Sequence, residues 1–332
     1  MEAIKSPWPG AVALSGGGDS LALMHLLNAW SRALGLAPPE ALIVDHGLRQ
    51  GSAAEARRAA AYARKAGLSA HILTRKGAAP KSGIEAAARD ARYGLIGAWL
   101  KKRGVATLYV GHTLDDQAET FLLRLGRGSG LDGLSAMRAL APFPLPEYAD
   151  LSLARPLLRL PRASLRAYLG RMGQDWLEDP MNSDARFARS RIRTLMPALE
   201  AAGLSPTRIA DAAGHLARAR QALELATEAV LQRAARLEEG RVLVDARALL
   251  AAPREIGLRA LAALLMAVSG AAYRPRFEAL ERVFDTIARG ELGRGTTLHG
   301  CRLFAAPRAA QLFGNKTLVL VKESSRKAAK AP

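Results

Sequence analysis

The sequence is short of cysteine and of long apolar runs. Its one cysteine, Cys301, excludes a disulfide framework, a cysteine-rich zinc site and a cysteine-ligated iron–sulfur cluster built from this chain alone. No apolar run approaches the roughly 20 residues that span a membrane. Residues 1–10 contain Glu2, Lys5 and two prolines rather than a signal-peptide core. We therefore expect a folded protein in the reducing environment of the cytoplasm.

Acidic residues are also scarce. There are 48 Lys and Arg against 30 Asp and Glu, which gives a formal net charge of +18. Such a surplus suits a phosphate-rich partner, because binding phosphates releases their counterions. A composition rich in Ala, Arg and Gly can also produce it without any such partner. The local density favours nucleic acid, since residues 155–193 hold nine arginines and four acids.

The first half of the chain alternates short apolar runs with amphipathic stretches, a pattern typical of βαβ units. Strands are predicted at residues 11–14, 41–44, 70–73 and 106–110, and a fifth at 151–154. Helices are predicted at residues 21–34, 53–65 and 84–102, each followed by a glycine, namely Gly35, Gly67 and Gly104. The connection 141–146 is too rich in proline for a helix. The pattern predicts an α/β fold, an open parallel sheet with helices on both faces.

The second half is helical at first and then mixed. A long helix rich in Ala, Leu and Arg is predicted from about residue 206 to 237, followed by a small α+β domain. We therefore predict a catalytic domain at 1–203, a helical linker with a small domain at 204–323, and a basic flexible tail at 324–332.

A glycine-rich turn joins the first predicted strand to the first helix. Residues 12–20 read Val-Ala-Leu-Ser-Gly-Gly-Gly-Asp-Ser, so free backbone N–H groups and the positive end of a helix surround a space suited to an anion. The spacing is neither a Walker A loop nor a dinucleotide fingerprint. The alternative is a tight turn in which Ser or Asp only caps the helix.

A second polar segment, residues 109–120, begins where the fourth predicted strand ends. It reads Tyr-Val-Gly-His-Thr-Leu-Asp-Asp-Gln-Ala-Glu-Thr. Ligands of open parallel sheets collect at such strand ends. Asp116 and Glu119 are three apart on the predicted helix and share a face, so both can approach one cation. That cation could be magnesium or an ammonium group, or the two acids could only offset the helix dipole.

Residues 15–20, Ser-Gly-Gly-Gly-Asp-Ser, resemble the signature of the PP-loop ATP pyrophosphatases. We call these residues the glycine loop. In that superfamily the loop holds the pyrophosphate of ATP while the α-phosphate is attacked, which leaves an adenylated substrate.

Further motifs resemble the tRNA(Ile)-lysidine synthetase family, in order over roughly residues 12–199. They are Asp45-His46-Gly47-Leu48-Arg49, Glu85 with Arg89, Arg92 and Tyr93, the segment 109–120, residues 127–134 (RGSGLDGL), and residues 176–184 (WLEDPMNSD). One departure is Ser190, where the family usually has Asn between two arginines. The C-terminal part resembles the family only weakly.

The resemblance implies ligation of L-lysine to C2 of the cytidine at the first anticodon position of an isoleucine tRNA with a CAU anticodon. ATP first adenylates the C2 oxygen, and AMP and diphosphate are released. The implied nucleotide-binding residues are Ser15, Gly16, Gly17, Gly18, Asp19, Ser20, Asp45 and His112, with Asp19 also holding Mg²⁺. Asp19, His112 and Arg92 are the implied catalytic residues, Asp116 and Glu119 the lysine-binding residues, and Arg189, Arg191 and Arg193 the tRNA-binding residues. The small domain within residues 204–323 is likewise expected to bind tRNA.

Two other classes of function compete with this one. The chain could be another PP-loop ATP pyrophosphatase that adenylates a small molecule or a different RNA base, or a binding module without turnover. Thiolation is disfavoured because Cys301 stands alone and late in the chain. The oligomeric state stays open, with a homodimer as one candidate.

Overall fold

A computed structural model describes residues 7–47, 51–75, 84–178, 188–271 and 273–323, without the side chains at 84–86 and 88. Some positions singled out in the sequence lie outside these residues: Leu48, Arg49, the side chain of Glu85, residues 179–187 and the tail 324–332. The chain divides into two compact units, residues 1–217 and 218–332. The predicted domain boundary near residue 203 stays a prediction.

The described part of the first unit is built on a six-stranded sheet. Its strands are β1 (Gly10–Ala13), β2 (Glu40–Asp45), β3 (Ala70–Thr74), β4 (Thr107–Tyr109), β5 (Leu140–Pro142) and β6 (Ser152–Ala154). The order is β3-β2-β1-β4-β6-β5, parallel from β3 to β6, with β5 antiparallel to β6. The carboxyl ends of β1, β4 and β6 therefore lie next to one another, and we call this the carboxyl edge.

Helices cover both faces of this sheet. The helices up to the division between the units, which falls in the last of them, are α1 (Gly18–Ala33), α2 (Ser52–Lys65), α3 (Ile84–Arg103), α4 (Leu114–Leu125), α5 (Leu131–Leu134), α6 (Arg162–Arg171), α7 (Ala188–Ala201) and α8 (Pro206–Ala234). Val12 and Ile43 pack with α1, α2 and α6, whereas their neighbours Ala11 and Leu42 pack with α3. The predicted fold class is confirmed, since side chains alternate between two buried faces along each strand.

One local feature agrees with the sequence prediction and another departs from it. Gly35, Gly67 and Gly104 have φ of +66°, +81° and +66°, as expected of glycines that end helices. Strand β5 was not predicted, because the proline-rich connection gives no strand pattern. It forms by pairing Leu140 with Ala154 and Pro142 with Ser152 at the end of the sheet order, where a proline is tolerated.

The second unit is an α+β domain, as predicted. Its elements are β7 (Ala235–Glu238), β8 (Arg241–Asp245), α9 (Ala246–Leu250), α10 (Arg254–Ser269), α11 (Phe277–Arg289), β9 (Thr296–Leu298), β10 (Cys301–Ala305) and β11 (Thr317–Lys322). The described strands form one antiparallel sheet in the order β7-β8-β11-β10-β9. Helix α8 ends at Ala234, earlier than predicted, because the next four residues pair with β8. No helix in the described part of the chain is both long and apolar enough to cross a bilayer.

Candidate active site

The glycine loop lies between β1 and α1 and is held by its own serines. The Ser20 hydroxyl donates to the Gly17 carbonyl oxygen (2.9 Å) and accepts from the Ser15 N–H (3.2 Å). Helix α1 begins at Gly18, and no side chain caps its first turn. Among the described residues no N-cap side chain therefore accepts from the first-turn N–H groups, and the positive end of α1 is available to an anion.

The segment after α6 packs directly on this loop. The Leu177 N–H donates to the Gly16 carbonyl oxygen (2.9 Å), and the Trp176 ring lies 3.5 Å from the position of a Cβ at Gly18. Gly16 has φ of +88°, and a Cβ there would lie 2.6 Å from Leu177 Cδ1. Glycine is therefore required at Gly16 by both backbone conformation and space.

Strand β4 leads into a second loop that touches the first. After Gly111 and His112, Thr113 caps α4 in a capping box: its hydroxyl accepts from the Asp116 N–H, and the Asp116 carboxylate accepts from the Thr113 N–H. A Cβ at Gly111 would lie 2.9 Å from the main-chain oxygen of Asp19. The absence of a side chain at Gly111 thus allows the two loops to approach.

Gly111→Ala is expected to destabilise the protein by about 1–3 kcal/mol, because backbone atoms of Asp19 and Ser20 have to move. The measurement is the free energy of unfolding in urea. Gly170→Ala is the matched control, since a Cβ at this exposed position of α6 meets nothing within 4 Å. The control should be neutral or stabilise by about 0.5–1 kcal/mol. Equal stability of the two variants would contradict the close approach.

One arginine joins the two loops. Arg162 is the first residue of α6, and its guanidinium contacts three carboxylates: Asp19 (Nε to Oδ2, 3.0 Å), Asp116 (Nη2 to Oδ1, 3.4 Å) and Glu119 (Nη1 to Oε1, 3.3 Å). Its main-chain N–H also donates to Asp115 Oδ2 (2.7 Å). The first turns of α1, α4 and α6 therefore meet at this guanidinium.

Helix α7 brings two further arginines to Glu119. Arg193 Nε lies 2.7 Å from Glu119 Oε1, and Arg189 Nε lies 3.0 Å from Oε2. The Glu119 side chain is only 2% exposed, so this carboxylate is buried among three guanidinium groups. The arginine-rich segment thus supplies counter-ions to buried acids as well as surface charge.

Burial and charge act in opposite directions on the acids. Burial raises the pKa of Asp19 above its usual value, and the charge of Arg162 only partly offsets this. Burial would also raise the pKa of Asp116, but the Thr113 N–H and Arg162 outweigh it and hold that pKa below its usual value. Asp116 is therefore ionised at neutral pH, and Asp19 is a desolvated carboxylate.

His112 lies at the end of β4 among cations. Burial lowers the pKa of His112 to about 4, and Arg155, Arg189 and Arg89 act in the same direction, against the opposing charge of Asp116. The imidazole is therefore neutral in the native protein at pH 7, so any bond that it makes to a nucleotide is that of a neutral ring.

The ring of His112 is expected to titrate near pH 4 in NMR spectra, well below the usual value of about 6.5. As the pH falls, His112 is protonated in the unfolded chain near pH 6.5 but in the folded protein only near pH 4. The free energy of unfolding therefore falls between these two pH values. Between these pH values the wild type should lose about 2–3 kcal/mol more than His112→Asn. Titration near pH 6.5 would contradict this environment.

The described residues contain no group of three or more His, Cys, Asp or Glu side chains that could hold a metal ion. One carboxylate oxygen nevertheless fits a cation. Asp19 Oδ1 is buried and has no hydrogen-bond partner among the described residues. Mg²⁺ is commonly bound through one or two carboxylates with substrate phosphates completing its shell, so a single Asp next to a phosphate-binding loop fits this ion.

Other residues predicted from the sequence lie in different surroundings. The Asp45 carboxylate accepts from the Ser52 hydroxyl (2.7 Å) and the Gly47 N–H (3.2 Å), so it holds the turn after β2. Arg92 and Arg89 are both exposed on α3, and Arg89, one turn earlier, stacks over the Tyr93 ring. Arg191 is exposed on α7, between the two arginines that contact Glu119. The roles predicted for these residues stay predictions.

Sequence reasoning missed Arg162 as a site residue. It lies 143 positions from Asp19 in the chain, so no local spacing connects the two. One signal was present: Pro161-Arg162 starts a helix shortly after the fifth predicted strand. The chain therefore reaches Arg162 from the edge where ligands of parallel sheets collect.

Comparison with known proteins gives a consistent result. A family model described as a PP-loop domain matches residues 8–199. The chain is 42% identical to a tRNA(Ile)-lysidine synthase of Methylobacterium nodulans over 84% of this chain and 82% of the relative. It is 41% identical to one of Rhodopseudomonas palustris over 89% of each chain, and 35% identical to one of Wolbachia pipientis over 95% and 71%. A solved U34-tRNA thiolase of Methanococcus maripaludis shares the fold, with a TM-score of 0.53 and 18% identity over 66% of this chain and 74% of that one.

Proposed function

This chain belongs to the tRNA(Ile)-lysidine synthase family of PP-loop enzymes, and we propose that the glycine loop, the acids of α4 and Arg162 form its active site. The enzyme is an ATP-dependent ligase that forms a carbon–nitrogen bond on tRNA(Ile). The observation that carries the proposal is the contact of one guanidinium with Asp19 on the loop side and with Asp116 and Glu119 on the α4 side. A phosphate site and an acidic site are thereby held next to each other.

The first step places ATP at the glycine loop. The C2 oxygen of the first anticodon cytidine attacks the α-phosphorus, an oxygen–phosphorus bond forms, and the bond to the leaving diphosphate breaks. The N–H groups at the start of α1 stabilise the charge that develops on the phosphates. When bound, Mg²⁺ neutralises part of the charge on the leaving diphosphate, and Asp19 Oδ1 is the side-chain oxygen that would hold it.

The second step needs L-lysine with its ammonium group near the activated base. The ε-ammonium group loses one proton to solvent, and the neutral amine attacks C2 to form the carbon–nitrogen bond. The bond from C2 to the adenylate oxygen breaks, AMP leaves with that oxygen, and the nitrogen loses a second proton. We assign the recognition of lysine to Asp116 and Glu119, as the family resemblance implies. Asp116 Oδ1 is the less engaged oxygen, since Arg162 and Arg189 lie 3.4 and 4.0 Å from it, whereas both oxygens of Glu119 have an arginine within 3.0 Å.

Glu119→Gln is expected to raise the KM for lysine about tenfold, which corresponds to about 1.4 kcal/mol of binding free energy. The KM for ATP should not rise, because removing a negative charge does not weaken the binding of an anion. Steady-state kinetics with each substrate varied in turn measure both values.

Glu147→Gln, at an exposed position, is the matched control and should leave both KM values unchanged. An equal rise of the two KM values in Glu119→Gln would contradict the lysine assignment. Such a result would mean that Glu119 only holds the arginines.

The proposed reaction is tested with labelled lysine, ATP and unmodified tRNA(Ile) with a CAU anticodon. The comparison is the same tRNA with uridine at the first anticodon position. Label only in the first tRNA, with AMP and diphosphate released, supports the proposal. ATP cleavage without label in either tRNA would instead favour adenylation of another acceptor. Arg189, Arg191 and Arg193 as tRNA contacts, a cytoplasmic location and a homodimer also stay proposals.

A further inference from the structure

An arginine that no described carboxylate pairs with lies at the carboxyl edge. Arg155 directly follows β6, and its Nη1 donates to the Arg138 carbonyl oxygen (2.9 Å). Its Nε is buried and has no hydrogen-bond partner among the described residues. Within the same residues, no carboxylate forms an ion pair with Arg155, in contrast to Arg162, which contacts three.

The neighbours of Arg155 make this region more positive. The end of β6 is paired with the end of β4, where the Val110 N–H donates to the Ala154 carbonyl oxygen (2.9 Å), so His112 and Arg155 leave adjacent strands close together. Arg89 of α3 acts electrostatically on both of them. Burial lowers the pKa of Arg155, with Arg89 acting in the same direction and the Tyr93 hydroxyl against it.

His112 contributes a second buried nitrogen without a partner. Its Nδ1 makes no hydrogen bond to any described residue. The carboxylate that acts on His112 is Asp116, and both oxygens of Asp116 already have partners in Thr113 and Arg162. Two unpartnered nitrogens, Arg155 Nε and His112 Nδ1, therefore lie at neighbouring strand ends with no free anion of the described chain beside them.

A half-buried guanidinium whose buried Nε lacks an anion is costly, and the cost falls when a ligand brings the missing negative charge. The planar fork of an arginine matches the oxygens of a phosphate group and can bind two of them at once. Strands β1, β4 and β6 are consecutive in the sheet, so Arg155 lies two strands, roughly 10 Å, from the strand that leads into the glycine loop. That separation suits a second phosphate position rather than a duplicate of the first.

We propose that Arg155, with His112, forms a phosphate-binding subsite at the ends of β4 and β6, separate from the glycine loop. Its ligand is a phosphate group of a substrate, supplied either by ATP or by the tRNA backbone next to the modified base. The choice of ATP and tRNA as the two phosphate sources rests on the proposed function. Its existence can be measured without any lysine ligation.

The test compares Arg155→Gln with the wild type and with Arg171→Gln. Glutamine keeps a donor for the Arg138 carbonyl oxygen but removes the charge and Nε. Arg171, exposed in the last turn of α6, provides the same change of charge away from the subsite. Two affinities are measured at equilibrium: that of a non-hydrolysable ATP analogue by calorimetry, and that of unmodified tRNA(Ile) by filter binding at several salt concentrations.

We expect Arg155→Gln to lose about tenfold in one of these affinities, about 1.4 kcal/mol, while Arg171→Gln keeps both. Loss of the affinity for the ATP analogue identifies the nucleotide as the phosphate source. Loss of the affinity for tRNA, with the slope of log K against log salt reduced by about one, identifies the RNA backbone. Wild-type values for both ligands in folded Arg155→Gln would overturn the subsite.

Thermal unfolding with and without inorganic phosphate tests whether Arg155 binds phosphate or has only a structural role. Phosphate should raise the Tm of the wild type and of Arg171→Gln more than that of Arg155→Gln. If Arg155→Gln does not fold, Arg155→Lys replaces it, since lysine keeps the charge but not the fork. Unchanged affinities in Arg155→Lys would then overturn the subsite. If the wild-type protein fails to incorporate labelled lysine, the proposed reaction is contradicted, but these binding results still decide whether the subsite exists.

Discussion

Arg162→Ala is expected to abolish lysine incorporation and to lower the free energy of unfolding by about 3–5 kcal/mol. The guanidinium of Arg162 lies within 3.4 Å of Asp19, Asp116 and Glu119. Glu119 keeps Arg189 and Arg193 in the variant, but Asp19 loses its cationic partner. Buried negative charges are then left close to one another, which opposes the approach of the two loops. Urea unfolding and the incorporation assay measure the two effects.

The pH dependence of the fall in unfolding free energy distinguishes this electrostatic role of Arg162 from a role in packing alone. Without Arg162, the pKa values of Asp19 and Asp116 rise, so the folded variant binds more protons than its unfolded chain. The stability of the variant relative to the wild type should therefore improve as the pH falls towards 4. Arg162→Lys keeps the charge and should recover part of the stability. A loss that is equal at pH 7 and pH 5 would contradict the electrostatic explanation.

Asp19→Asn is expected to remove turnover while leaving stability nearly intact. Its Oδ1 is buried and has no partner in the described part of the chain, and burial already raises the pKa of Asp19, so the neutral amide relieves a desolvated charge. Diphosphate release should fall by about 10²–10³-fold, the range seen when one group that stabilises transition-state charge is removed. The affinity for tRNA should change little, because the substitution acts on the phosphates of ATP.

Three measurements on Asp19→Asn check this: diphosphate release, filter binding of tRNA and thermal unfolding. Asp150→Asn, at an exposed turn, is the control for the loss of one charge. If Asp19→Asn releases diphosphate at the wild-type rate, Asp19 has no catalytic role. A large fall in Tm with parallel loss of both activities would mean that Asp19 is structural.

The glycine loop and the α4 acids could be predicted because each is a local pattern. Residues 15–20 lie between an apolar run and an amphipathic stretch, and Asp116 and Glu119 have helical spacing. The contact of Asp19 with Arg162 could not be predicted, because it depends on how three first turns converge around a sheet. The same limit applies to β5, whose three residues become a strand only through their pairing with β6.

The arginines of α3 show that sequence reasoning is also limited in choosing between neighbouring residues of one helix. The sequence favoured Arg92, next to Tyr93, on the family resemblance. Both arginines are exposed, but Tyr93 is buried and residues four apart share a helix face, so Arg89 is the one that stacks over the tyrosine ring, 5.3 Å from its centroid. Helical periodicity could have separated the two once Tyr93 was identified as a core residue, but the composition of the helix does not reveal which face is buried.

The position of β11 in the second sheet determines the order in which that unit can be built. The strand joins β8 to β10 and is the last of the unit's described strands in sequence. During synthesis, β7 with β8 and β9 with β10 can form only separate hairpins until residues 317–322 have left the ribosome. Small hairpins are marginal in water, so this unit should become resistant to protease only when β11 is available. A nascent chain arrested before residue 317 should therefore be cleaved in this unit, and one extended beyond β11 should be protected.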